Sequence, residues 1–410
     1  MSTTITLVVV VAFSFVIGEL MQRLATRRGL LLSGAEYLIV GVLVGPLVSG
    51  IVRGDALSIA EPAMWLLIGL VGFMMGLPLR HAISNGGPLR LLAATLLSLG
   101  SMAGLGALGW LVIRWQLPDA TLQELLLPVV IFGTAGSVVS ARFIQLASVR
   151  FRARGPLTDF LNTSAEWGST LAVVVAGAVM DWQRATAPIE VMDVSLPGEL
   201  WGGSSLIIGI ACGVLFWLFH RNEDNAERTF LATVGVVVFA SGIAAAVGSS
   251  PLLVGLFAGI TVSGLSRQAD DLDRTLEALE RPAGIVLMIF AGAVWTPPGF
   301  LGWLLVGVYL VGRVGMFWLL PRLFVRPILH SVTVGWLGAG MRGQGVLPVA
   351  IALSLAMVHP ELAEVASVIL VGVFVFEIGA GSALRRMLGD AGELGRVPAD
   401  VEQSATEVSA

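Results

Sequence analysis

Apolar runs, mostly 17 to 25 residues long, recur along this 410-residue chain, and they leave few options for its fold. An α-helix rises about 1.5 Å per residue and a hydrocarbon core is about 30 Å thick, so each run matches one membrane-spanning helix. Strands do not compete, because the alternation of polar and apolar residues that a membrane barrel needs is missing. Composition agrees: the chain is 56% hydrophobic and 13% charged, too little polar material to cover a soluble globule of this size. The fold class expected is an all-α polytopic membrane protein.

Thirteen spans are predicted, over 3–22, 34–52, 62–78, 90–114, 124–146, 158–180, 199–219, 229–247, 250–266, 282–296, 299–321, 331–356 and 361–384. All 24 basic residues are arginine, and 19 of them fall at alternate loops or in the C-terminal segment. Arg53, Arg114 and Arg184 fall on the other side. The positive-inside rule then puts the C-terminus in the cytoplasm and the N-terminus outside, as an odd number of spans requires. Trp110, Trp115, Trp182, Trp201, Trp295 and Trp303 cluster at the predicted outer ends, where interfacial anchors belong. The first run has no positive charge ahead of it, so it reads as a retained helix and not as a signal peptide. Residues 1–386 are expected to form the membrane domain, residues 387–410 a short polar cytoplasmic tail, and the location to be a bacterial inner membrane.

The chain also repeats itself. "LIVGVLVGPLVSG" (38–50) and "LLVGLFAGITVSG" (252–264) agree at seven of thirteen positions, in spans that the charge rule orients oppositely. That is the trace of two inverted six-helix repeats, with span 7 as connector. Corresponding interruptions are expected where "FGTAGS" (132–137) and "GAGMRGQG" (338–345) put Gly, Ser and Thr in mid-membrane. Carbonyls freed there are tolerated only where they line a cavity or meet a partner, and with the Thr134 hydroxyl they are hard oxygen ligands suited to an alkali cation.

Span 6 carries a carboxylate, Glu166, inside an otherwise apolar run. Asn162 and Thr163 precede it by four and three residues and Ser169 and Thr170 follow by three and four, which makes one polar stripe on a helix. By rise per residue Glu166 lies about 12 Å, and Arg342 in span 12 about 17 Å, from the cytoplasmic face, so both are near mid-membrane and must face protein or water. Glu166 is the candidate proton and cation carrier. Arg342 is either its charge partner or a neutraliser of helix carbonyl ends. Arg313 in span 11 and Glu377 in span 13 share a depth of about 21 to 24 Å from the outer face and are expected to form a structural ion pair. Asp159 reads as a helix-start residue; Glu19 and Glu36 read as solvated.

Other chemistries lack residues. One cysteine, Cys212, excludes an internal disulfide, and four scattered histidines (His81, His220, His330, His359) do not suggest a metal site. No cofactor is expected, no basic tract suggests nucleic acid, and no nucleophile, base and orienter converge as an enzyme would need.

The chain resembles the monovalent cation:proton antiporter superfamily over nearly all of residues 1–386. "EYLIVGVLVGPLVSG" is similar to that family's helix reading Gly-Tyr then Gly-x-x-x-Gly-Pro, "LLVGLFAGITVSG" to its Leu-Gly-Ala-Phe-x-Ala-Gly helix, and "GMRGQGVLPVAIAL" to the Leu-Arg-Gly segment of the sodium/proton exchangers. The resemblance implies thirteen helices, with a core of spans 4–6 and 11–13, crossed discontinuous helices in spans 5 and 12, and a homodimerisation domain from spans 1–3 and 8–10. It also implies exchange of sodium or potassium for protons. Where that family has Asp-Asp, Asn-Asp or Gln-Asp on span 6, this chain has Ala165-Glu166-Trp167, so Glu166 replaces one member and Trp167 or Ala165 the other. Two other readings stand beside exchange: a sodium-coupled symporter of an organic anion, and a transport-inactive sensor or scaffold with Trp167 plugging the site.

Overall fold

The computed structural model describes residues 34–50 except 35, 54–185, 203–220, 226–266, 269–330, and 332–395 except 333, 334 and 336. The predicted first span, 3–22, and the last residues of the tail lie outside them. Among the described residues every regular element is helical. In chain order these are α1 (Glu36–Val44), α2 (Gly54–Gly76), α3 (Leu79–Gly86), α4 (Pro88–Gln116), α5 (Leu122–Ser137), α6 (Ala141–Phe151), α7 (Pro156–Ala185) and α8 (Ser204–His220). There follow α9 (Ala226–Val247), α10 (Pro251–Leu265), α11 (Ala269–Val294), α12 (Phe300–Leu320), α13 (Leu337–Gly340), α14 (Leu347–Val358), α15 (Ala363–Glu377) and α16 (Ala380–Asp390). Among them α2, α4, α5 with α6, α9, and α12 with its continuation to Ile328 are long and apolar enough to cross a membrane. The chain is an integral membrane protein.

The helices pack as two groups. In one, α4, α5, α6, α7, α12, α14 and α15 enclose the crossing described below; in the other, α2 and α10 pack against each other with α8, α9 and α11 around them. The sequence repeat is explained by this packing. Gly41 of α1 and Gly45, just past its end, lie against the backbone of α11, where a Cβ on Gly41 would run into the Ile289 carbonyl. Their repeat counterparts, Gly255 and Gly259 of α10, lie in the same way against α2, at the Gly69 and Phe73 carbonyls. Small residues let membrane helices approach backbone to backbone, so the matched glycines serve the same crossing in each half.

Three boundaries depart from expectation. The second predicted span is helical only over Glu36–Val44 and then turns at 45–49. The interruption in span 5 falls after "FGTAGS", not in it, because Thr134 Oγ1 donates to the Val130 and Ile131 carbonyls (2.8 and 3.1 Å) and Ser137 Oγ to the Thr134 carbonyl (2.8 Å), which keeps the last turn of α5 wound. The expected junction between membrane domain and polar tail, at 386/387, falls inside α16, where Leu388 is buried.

Residues 391–395, which follow α16, are docked and not free. Glu393, 4% exposed, accepts from the Leu157 N–H (2.9 Å) and from the N–H and hydroxyl of Thr158 (2.9 and 2.7 Å), the first turn of α7. A carboxylate at a helix N-terminus satisfies orphan N–H groups and complements the helix dipole. The backbone N–H of Arg154 also donates to the Glu393 carbonyl (3.1 Å), so the segment that follows the last helix closes the start of the helix bearing Glu166.

Candidate functional site

Two interrupted helices cross. The first breaks at 138–140, between α5 and α6; the second at 341–346, between α13 and α14. They touch through the Ser140 N–H, which donates to the Gly343 carbonyl (2.8 Å). Ser140 also caps α6, its Oγ accepting from the Phe143 N–H (3.2 Å).

Each break frees backbone groups in the middle of the protein, and buried backbone polar groups must find partners. Four carbonyls at the first break find side chains. Ala135 accepts from Gln344 Nε2 (3.1 Å), Gly136 and Val138 from the Arg313 guanidinium (2.8 Å at Val138), and Val139 from Ser169 Oγ (3.0 Å). Arg313 also reaches the Met341 carbonyl (3.1 Å) at the end of α13. It is 1% exposed and sits between the rings of Phe317 and Phe376, its carbon 4.7 and 5.2 Å from their centroids. A fixed cation thus lies where the C-terminal, partly negative ends of two half-helices meet. Glu377 does the converse at the start of α14: its Oε1 accepts from the backbone N–H groups of Gln344 (2.8 Å) and Gly345. Arg313 and Glu377 thus both bond to the crossing backbone, where the two charges brace opposite dipole ends while attracting one another.

These contacts set a stability expectation. Arg313→Ala would leave the Gly136, Val138 and Met341 carbonyls at the crossing without their cation, and removing one member of a buried charged network costs on the order of 3 to 5 kcal/mol. Arg313→Lys keeps the charge but not the planar fork, so it should recover only part. Thermal unfolding in detergent checks the order wild type, Lys, Ala; an Ala variant as stable as wild type would mean that the crossing is held by packing alone.

Glu166 stands beside this crossing. On α7, Ser169 touches the break itself, and one turn earlier Glu166 Oε1 accepts from Gln145 Nε2 of α6 (2.7 Å). Asn162, one further turn back, has a buried Oδ1 without a hydrogen-bond partner. Thr163 and Thr170 spend their hydroxyl protons on the carbonyls of Asp159 (3.0 Å) and Glu166 (2.9 Å), as Thr134 spends its own within α5. Asp159 is at the exposed start of the helix and pairs with Arg90 (3.4 Å). Trp167 is turned to α4, where its indole N–H donates to Thr95 Oγ1 (2.7 Å). Arg342 is elsewhere: its side chain is exposed and lines a cavity with Arg313, Phe317, Trp318 and Phe376.

Three participants were not singled out from the sequence. Gln344 is fully buried, and its Nε2 also donates to Tyr309 Oη (2.9 Å). An amide flanked by two glycines within an apolar span was the signal available for it. Gln145 had a weaker signal, since "RFIQLASVR" reads as an ordinary amphipathic end. Glu393 had none, because nothing local ties it to residue 157.

No family model matches the chain and no curated relative does. Solved structures do. The sodium proton antiporter MjNhaP1 from Methanocaldococcus jannaschii at pH 8 superposes with a TM-score of 0.65 at 15% identity, covering 94% of this chain and 100% of that one. An electron-microscopy structure of the same antiporter gives 0.59 at 15% identity, over 92% and 97%. Across nearly its whole length, this chain has the fold of MjNhaP1.

Proposed function

We propose that the protein is a secondary antiporter that exchanges a monovalent cation, sodium or potassium, for protons, one for one through Glu166. One observation carries this reading: a carboxylate on α7 stands beside two crossed broken helices, next to an uncommitted amide oxygen, in a fold similar to that of a sodium proton antiporter. The Ala135, Gly136, Val138 and Val139 carbonyls at the first break are taken by Arg313, Gln344 and Ser169, so in this reading a cation is offered chiefly the oxygens of Glu166 and Asn162, with the hydroxyl lone pairs of Thr163, Ser169 and Thr170 on the same stripe and of Thr134 on α5. Arginine stays protonated throughout the physiological range, so neither Arg313 nor Arg342 supplies a transported proton. Glu166 holds a proton or a cation and not both, and that competition couples the two fluxes.

In this reading α4–α7 with α12–α16 move against α1, α2 and α8–α11, and the latter group forms the homodimer contact in a bacterial inner membrane with the C-terminus in the cytoplasm. Rocking of one repeat-built body against another is how such folds alternate access. The bond from Trp167 to Thr95 holds the indole against α4, which favours transport over a plugged scaffold.

The test is flux. Purified protein in vesicles with an internal pH dye is given each alkali cation in turn. A dye response to sodium or potassium, and none to choline, is the result expected; no proton movement under any alkali cation would overturn exchange and leave the symporter and scaffold readings.

A further inference from the structure

Arg342 poses a charge problem that the transport site does not solve. Its guanidinium is exposed at a notch of about 140 Å³ between α12, α13 and α15, and among the described residues it has neither a carboxylate nor a hydrogen-bond partner. The notch wall is apolar, formed by Val314, Phe317, Trp318 and Phe376, and Val314 and Trp318 belong to the exposed face of a membrane-spanning helix. That face meets lipid, where an uncompensated arginine is costly.

A second arginine, Arg322, is tied to the notch through one of its wall residues, Trp318. Arg322 stacks on the Trp318 ring, its carbon 3.8 Å from the centroid, and donates Nη1 to the Trp318 carbonyl (2.6 Å). Its other N–H groups have no acceptor among the described residues. Trp318 therefore carries Arg322 on its ring while sharing the cavity with Arg342. Arg322 precedes the end of this span at Ile328 by six residues, about 9 Å, so its long side chain can reach the headgroup level of one leaflet, while Trp318 lies one turn deeper in the hydrocarbon. That leaflet is the one at the C-terminal end of the chain, because Val325 and Leu388 share one buried cluster.

We propose that this notch is a binding site for an anionic phospholipid of that leaflet, its phosphate held between Arg322 and Arg342 and an acyl chain laid along Val314, Phe317 and Trp318. Two planar guanidinium forks match phosphate oxygens, and basic pockets between membrane helices favour anionic headgroups over zwitterionic ones. A small soluble anion would leave the apolar wall of the notch unused. The lipid would sit directly beneath Arg313, the cation that braces the crossing.

The test needs no transport assay. Protein in mixed phosphatidylcholine and phosphatidylglycerol is partly delipidated and its retained lipid counted by native mass spectrometry. Wild type should retain phosphatidylglycerol selectively, and the paired change Arg322→Gln with Arg342→Gln should cut that selectivity on the order of thirtyfold, the effect of two arginines near a membrane surface. Arg322→Lys with Arg342→Lys should keep most of it. If the paired glutamine variant does not fold in phosphatidylcholine alone, Arg322→Gln by itself should still lose about fivefold. Selectivity unchanged in whichever glutamine variant folds would overturn the site. So would displacement of the lipid by millimolar inorganic phosphate, since that would make the notch a plain anion site.

Discussion

Glu166→Gln is expected to reduce cation-dependent proton flux to the level of protein-free vesicles while leaving the protein folded. The two halves of that expectation rest on different contacts. The amide has the shape of the carboxyl group, and its oxygen still accepts the bond that Gln145 Nε2 now gives to Glu166. The net worth of such a bond is about 1 kcal/mol, so even a poorly placed amide costs little stability. Transport fails for a reason of chemistry. An amide neither takes up a proton near neutral pH nor offers a full negative charge to a desolvated cation, so both competing loads are lost together. Glu166→Asp tests the geometry: withdrawing the carboxylate by one methylene pulls it off Gln145, and some exchange should persist with altered cation preference. The pH-dye assay reads all three proteins. Undiminished flux in the glutamine variant would remove Glu166 from the mechanism, whatever the wild type transports.

How much of this was legible in the sequence differs between the lipid-facing and buried parts. Span lengths follow from bilayer thickness, so α2, α4, α9 and α12 are found from hydropathy alone. The repeat was legible because the matched glycines, Gly41 with Gly255 and Gly45 with Gly259, answer one steric demand twice. Glu166 was conspicuous because a carboxylate in an apolar run has few reasons to be there. What pairs with what was less readable. Arg313 and Glu377 share a depth and attract one another electrostatically, but depth does not show that the hydrogen bonds of Arg313 run to carbonyl ends of the crossing and that Glu377 accepts from N–H groups at the start of α14. Depth likewise set Arg342 opposite Glu166, yet rise per residue fixes only height, not the side of the helix on which a residue leaves an unwound stretch. The break in span 5 fell late because hydroxyls that look helix-breaking bond back to their own helix. Contacts across the chain, such as Glu393 with Leu157, leave no local trace.

The second large effect is expected from a cross-link. Arg142 on α6 pairs with Glu280 on α11 at 3.2 Å, joining the helix group that holds Glu166 to the group expected to stay still. Arg142 lies three residues before Gln145, so one turn of α6 touches the site carboxylate on one side and the opposite body on the other. As a salt bridge the pair counts for little: its side chains are 33% and 38% exposed, and such pairs contribute roughly 0.2 to 1 kcal/mol. Arg142→Gln should therefore slow exchange modestly at most. A covalent link at the same place is a different matter, because alternating access requires α6 and α11 to part. With Cys212, the chain's single cysteine, replaced by alanine, cysteines at 142 and 280 can be joined by a short reducible thiosulfonate linker. Flux should fall to background on linking and return on reduction, while the unlinked double variant transports. Full flux through the linked protein would mean that α6 and α11 move together, and the line between moving and stationary helices would have to be drawn elsewhere.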